Sequence, residues 1–537
     1  MKKRWLSLAL AGVVAVSAAL TGCGGFSGGD GGKKADGEKV FRISISSDIP
    51  DLDPALVSDN QSALLANQVF QSLTYVQKDG TAGLDAAEKV EHSDDFVTWT
   101  FTLKDGLKFS NGDEIKAEDY KYSWLRTLNP ETASGQANRL YFIKGAQAYN
   151  EGKGKAEEVG IEAKDDKTLV VTLEKGNAFF DEAVAYPVYS VVDKKVIEAN
   201  GKEWFNKPET YIGSGAYKLE SYDLGKEIVL KKNDNYINAK DVQIDTVKIA
   251  IIEDENTVYE KFKAKDLDFV GSPAHSVPTD KMDEAKGLPE YKQFPNTQIY
   301  WYKVNTKDPI MGNVHMRKAL ALAIDRQNII DNVAKGNQIP ATGIIPQFKS
   351  EYFKDNDVEE AKKELELGMK ELGINKPEDV TVQVKYNTNE GHQKIAQAVQ
   401  ENWKKNLGIN AEISNEEWKV YLDTLKEGNY QIGRLGWVAD FTDPADFLNM
   451  YMYEDGEDNM TYWHSDEFNA KIGEANKHFD DLNKRDALLK EAEAIIMADM
   501  PAIPVYFGTV NTVIQDTVDQ LNITLLGNLY IKDVKLK

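Results

Sequence analysis

Residues 433–444, GRLGWVADFTDP, gather groups able to hold a charged visitor. An apolar run passes Leu435, Gly436, Trp437, Val438 and Ala439 and stops on Asp440, with Arg434 the one cation in the stretch. A carboxylate shut among apolar groups without a partner is costly. A folded chain therefore exposes it, pairs it, or holds it for an incoming cation. Asp443 and Pro444 read as the cap and first residue of a helix over PADFLNMY, which accounts for Asp443 but leaves Asp440 unexplained.

Catalytic arrangements are missing around it. The chain has no Gly-x-Ser-x-Gly elbow, no Ser-x-x-Lys pair, no His-Glu-x-x-His and no Walker-type Gly-Lys-Ser/Thr. His92, His275, His315, His392, His464 and His478 are scattered, none at metal-ligand spacing with a partner. GSGAY (213–217) lacks phosphate-loop spacing and reads as a turn entering a strand. The expectation is a binding protein with no catalysis, cofactor or metal.

The surrounding elements alternate between two periods. VTWTFTL (97–103) puts Val97, Trp99, Phe101 and Leu103 on one face of a strand. In 117–128, Tyr120, Trp124 and Leu128 fall four apart on a helix, as do Ala361, Leu365 and Met369, with Leu372 beside them, in 358–372. VTVQVKY (380–386), a helix from about His392 to Leu407 and the strand INAEI (409–413) make a strand–helix–strand unit. This order predicts an α/β fold, with Trp124 and Trp403 in its core. More than one core is expected, because the chain has 537 residues.

The amino terminus sets the compartment. Lys2, Lys3 and Arg4 precede an apolar stretch, Leu6 to Leu20, too short for an ordinary membrane span and suited to a signal peptide. It ends in LTGC, where Cys23 is the chain's single cysteine. The Gly-rich stretch behind it reads as a tether reaching roughly 20 Å. With 87 acidic against 64 basic residues the net charge is −23, which disfavours nucleic acid and anionic lipid.

LTGC resembles a lipobox, which implies cleavage before Cys23 and acylation of its thiol, palmitate included. Behind it, in order, come DLDPAL (51–56), FSNGDEIKAEDYKYSWLRTLNPETAS (109–134), GSGAYKL (213–219) and VHMRKALALAIDR (314–326). YNTNEGHQKIAQAVQENWKKNLGI (386–409), EEWKVYLDTL (416–425) and GRLGWVADFTDPADFLN (433–449) follow. With these motifs the mature chain resembles the oligopeptide- and dipeptide-binding lipoproteins of bacterial ABC importers, extracytoplasmic solute-binding family 5.

That family implies a two-lobed periplasmic-binding-protein type II clamp with an extra domain, the ligand enclosed between the lobes. The implied layout is signal peptide 1–22, tether 23–38, domain I from 39–70, 204–300 and 508–537, domain II 71–203 and domain III 301–507. YWYKVNT (300–306) and PAIPVYFGTV (501–510) would lie near the hinge crossings. Asp440 aligns with the carboxylate that receives a peptide's α-ammonium. Gly436 and Trp437 belong to an edge pairing the peptide main chain, beside the variable position Val438. Trp418 lines a side-chain pocket, and Arg434 and His392 serve the carboxy-terminal end. Leu425 stands where some relatives carry a further arginine. The implied protein is a monomer anchored outside the cell membrane, with short peptides and a permease as partners. A peptide-pheromone receptor and a carrier of a metal chelate, opine or sugar are the competing readings.

Overall fold

The strand that ends in Val438 lies inside a six-stranded sheet, and that placement organises the rest. In order across the sheet run Ile339–Pro340, Ala502–Phe507, Gln298–Val304, Ile432–Val438, Thr381–Asn387 and Asn410–Glu416. The computed structural model describes residues 37–456, 458–479 and 481–537, of which Lys39–Lys537 form one compact unit. The signal-like segment, Cys23 and the tether through residue 36 lie outside the described residues.

Three other sheets accompany it. Val40–Ile45, Thr246–Ile251, Glu227–Lys232 and Tyr217–Asp223 form one four-stranded sheet. A second has the order Ala87–His92, Thr98–Leu103, Thr168–Thr172 and Ile161–Ala163. Phe269–Val270, Val510–Ile514 and Tyr291–Phe294 make a three-stranded sheet. Separate apolar clusters follow these sheets, so the chain is built of several cores in an α/β arrangement.

The periodicities set these contacts. In Thr98–Leu103 the buried residues are Trp99, Phe101 and Leu103, and helix Ala117–Leu128 buries Tyr120, Trp124 and Leu128 in the same cluster. The Trp124 indole N–H donates to Tyr189 O at 2.8 Å, so burying its polar atom leaves no deficit. Helix Val358–Leu372 buries Ala361, Leu365 and Met369, and Trp403 is fully buried in helix Glu390–Leu407. That helix starts two residues before the expected His392, because Asn389 takes the cap and accepts from His392 N.

The expected PADFLNMY helix is shorter, Asp446–Asn449, and begins after Ala445. Asp443 still accepts from Ala445 N at 2.9 Å, but its carboxylate is chiefly engaged by Arg485 through two bonds of 2.8 and 2.9 Å. Both side chains are buried, so Asp443 is half of an internal ion pair rather than a simple helix cap.

Two chain segments pass from one sheet into another. Tyr291–Phe294 pairs with residues 510–513 in the three-stranded sheet. After a short break, Gln298–Val304 pairs with Ala502–Phe507 in the six-stranded sheet. The breaks, residues 295–297 and 508–509, face each other between the sheets.

Candidate binding cleft

Strand Ile432–Val438 pairs with Gln298–Val304 along its whole length. On its other side, only Ile432 and Gly433 have ladder partners among the described residues, Val384 and Lys385. Leu435–Val438 therefore present an open edge with unpaired backbone groups, the feature that main-chain recognition requires. Gly436 lies in this stretch; a Cβ there would meet Arg434 Nη2 and Ile299 O at 3.4 Å, ordinary contact.

That edge forms one wall of a cleft of about 370 Å³. The other wall includes Ser58–Gln61, Ser272–Val277 and Gly508–Asn511. Asp440, Trp437, Gly436, Arg434, Trp418, His392 and Val438 all line it, so residues scattered over 392–440 in sequence meet in one cavity. Trp418 opens helix Trp418–Lys426, which Glu417 caps from outside.

The Asp440 end departs from expectation. The carboxylate is not left with Arg434 as its nearest cation; it forms an ion pair with Arg139, 301 positions away in sequence. Arg139 rises from the short turn Ala137–Leu140, held by buried Ala137 and Leu140 and by Tyr189, whose hydroxyl donates to Arg139 O at 2.5 Å. Its guanidinium lies 4.2 Å from the Tyr186 ring centroid and 5.5 Å from that of Trp437, and it is 3.5 Å from Asp458.

A third carboxylate stands behind. Asp446 accepts from Trp437 Nε1 at 2.8 Å and from Asp440 N at 3.2 Å, which fixes both the indole and the strand's end. Burial pushes the Asp446 carboxyl up to about 7 despite the Trp437 bond. Asp440, Asp446 and Asp458 thus share one guanidinium, and this end of the cleft remains acidic.

Arg434 faces the opposite condition. Its guanidinium lies 4.5 Å from the Tyr300 ring centroid and donates to Asn387 Oδ1 at 3.3 Å. Its Nε is buried without a hydrogen bond, and no acid pairs with it among the described residues. His392 packs against Tyr300 at 5.6 Å and is held neutral: burial, then the Arg434 charge, depress its pKa well below the usual histidine range. Tyr506 closes this end, 4.9 Å from Tyr300. The cleft is therefore electrically polar along one strand, with spare positive charge at Arg434 and spare negative charge around Asp440.

Further contacts bridge the walls. Thr442 N and Oγ1 both donate to buried Glu182, at 2.8 and 2.7 Å. Asn389 donates to Glu255 at 2.6 Å and Asn256 to Glu390 at 2.9 Å. Burial raises Glu182, and it raises Glu255 to about 7.

Arg139, Asp446, Asp458 and Glu182 escape sequence reasoning. Arg139 has no spacing relation to Asp440, and its one local mark is a cation set between Asn138 and the apolar Leu140. Asp446 lies within the same motif as Asp440 but is masked there by its place in a helix.

Comparison with known proteins decides what this geometry belongs to. The model of the bacterial extracellular solute-binding proteins, family 5, matches residues 82–459. The chain belongs to this family. As a family 5 protein it is 38% identical, over the full length of both chains, to the oligopeptide-binding protein OppA of Bacillus subtilis. It is 34% identical to the dipeptide-binding protein DppE of the same organism, over 94% of each chain. Among solved structures, OppA of Haemophilus influenzae in complex with RPPGFSPFR superposes with a TM-score of 0.87 at 28% identity, over 93% of this chain and 99% of that one. These neighbours establish the clamp fold. One structure of the Escherichia coli murein tripeptide-binding protein MppA superposes at 0.86, whereas its unliganded open form reaches 0.64. The family 5 clamp described here is thus far from that open shape, which agrees with the contacts between its walls.

Proposed function

We propose that this chain captures short peptides in the cleft and hands them to an ABC permease, without catalysis of its own. The observation that carries this reading is the charge polarity of one open strand edge. An extended zwitterion has the same pattern: amides that pair with a backbone edge, a cation at one end and an anion at the other. Arg434 and Asp440 are six residues apart, roughly 20 Å along extended chain. Their side chains shorten the gap to what about three to five extended residues fill.

In this reading the ammonium enters the acidic cluster at Asp440 while Arg139 shifts its weight toward Asp458. The carboxylate end meets Arg434, with His392 as a neutral neighbour. Leu435–Val438 pair the peptide main chain antiparallel, Trp437 walls the first residue, and Trp418 borders a side-chain pocket. Because backbone pairing ignores side chains, broad specificity is expected.

Closure follows the same logic. We place the hinge at residues 295–297 and 508–509, where the chain passes between the three-stranded and the six-stranded sheet, with domain II at 71–203 carrying Arg139. A ligand shifts the clamp from 1:99 to 99:1 closed only if it prefers the closed form by about 5.5 kcal/mol. The body acts as a monomer outside the cell membrane, held through acylated Cys23. Calorimetry with a free tripeptide, its N-acetyl form and its C-terminal amide tests the assignment. Acetylation should cost at least a hundredfold in affinity and amidation at least tenfold, and equal binding of all three would end it.

A further inference from the structure

Lys303 stands where a core strand ordinarily carries an apolar side chain. It lies in strand Gln298–Val304, opposite Gly433 on one side and Ala502 on the other, and is fully buried. Its Nζ sits 4.5 Å from the Trp301 ring centroid and 4.1 Å from that of Tyr451. It donates to the Tyr451 hydroxyl at 2.8 Å and to Met450 Sδ at 3.2 Å, and reaches the Asp458 and Asn459 carbonyls at 3.4 Å. Burial pulls its pKa well below the usual lysine range, and the Asp458 charge opposes that pull. All four acceptors belong to one segment, between Met450 and Asn459. No backbone N–H among the described residues donates to the Asp458 or Asn459 carbonyl. Just beyond, Met460 and Tyr462 hold left-handed backbone, φ 56° and 58°, which residues with a Cβ keep only where their surroundings enforce it. Asp458 also lines the cleft, and its carboxylate stands 3.5 Å from the Arg139 guanidinium. Lys303 thus grips the backbone of a residue whose side chain serves the acidic end.

We propose that Lys303 is a positioning residue for ammonium capture: it pins Asp458 where that carboxylate can take Arg139 as Asp440 receives a peptide's amino end. The inference rests on the peptide reading above. Without the grip, Asp458 retreats and Arg139 stays on Asp440, so the acidic end loses its room for an ammonium. Arg434, at the other end of the strand, keeps its surroundings. A lysine that served the core alone would behave differently, since its loss would weaken every ligand by the same factor.

The test is calorimetry on the full chain with tri-alanine, its N-acetyl form and its C-terminal amide. Lys303→Met puts an apolar chain of similar length among rings and a thioether, and replacing a buried cation in this way often preserves a fold. It should weaken free tri-alanine roughly thirtyfold or more and the N-acetyl form less than threefold. The acetylation penalty then falls at least tenfold, while the amidation penalty stays within twofold of wild type. Thr306→Val loosens the same segment elsewhere, by removing a bond of 2.7 Å to Thr461 O, and should leave both penalties within twofold. Asp458→Asn keeps the backbone grip but not the charge. It should reproduce the fall in the acetylation penalty, and it does so independently of whether Lys303→Met folds. The proposal is overturned if Lys303→Met weakens all three peptides by one factor or leaves them unchanged, or if Asp458→Asn keeps the full penalty. Equal binding of free and acetylated tri-alanine by wild type would instead sink the underlying peptide reading.

Discussion

The two ends of strand Ile432–Val438 treat charge in opposite ways. At one end three carboxylates share one guanidinium brought from a distant turn. At the other Arg434 has aromatic rings, an asparagine and a neutral histidine for company, with no acid pairing it among the described residues. A buried ion pair satisfied at both ends would be a structural device and nothing more. Here each end holds an unbalanced charge of opposite sign, and a single extended zwitterion balances both.

The largest way to break this contrast is Asp440→Asn. It leaves an incoming ammonium facing Arg139 without its carboxylate, and should weaken peptide binding by about 3–5 kcal/mol in calorimetry. Arg434→Gln comes next. It removes charge-assisted bonds worth about 1.5–3 kcal/mol, and C-terminal amidation should then cost nothing further. A tryptophan-fluorescence titration of both variants with amidated and free peptides would expose any cross-talk between the ends. Thr442→Val is smaller: it keeps the backbone bond to Glu182 but loses the hydroxyl bond, so affinity should fall by about 0.5–1.5 kcal/mol, with the empty clamp more open in small-angle scattering.

The subtlest effect is on pH. Asp446 is raised to about 7, so it is neutral below that value and charged above it. Charge on Asp446 favours an ammonium nearby. Affinity should therefore rise severalfold from pH 6 to 8, then fall as the peptide's own amine, near 8, loses its proton. Calorimetry in two buffers of different ionisation heat should register proton release on binding near pH 7. An unchanged or falling affinity over that range would assign the acidic end a purely structural part.

How legible this was follows from range. The strand and helix stripes could be read because their information is local: Trp99 and Phe101 alternate, and Tyr120 and Trp124 recur at helical spacing. The seven cleft residues could be read because the motifs around 392, 418 and 433–440 each carry several residues together. Arg139 could not, since nothing in a turn near residue 139 reports which carboxylate waits 301 positions on. The Asp443 reading was incomplete for a related reason. Cap chemistry is written in neighbours, whereas the Arg485 that claims its carboxylate lies 42 residues away. Charge partnerships across the walls are tertiary facts, and the contrast between the two ends became visible only when the walls were in place.

The most direct test of the central claim is a double-mutant cycle by calorimetry, comparing a free tripeptide with its N-acetyl form on wild type and on Asp440→Asn. Acetylation should cost the wild type at least a hundredfold in affinity and cost Asp440→Asn less than threefold, because both changes delete the same pairing. An equal acetylation penalty in the two proteins would contradict the account, placing the ammonium somewhere other than Asp440.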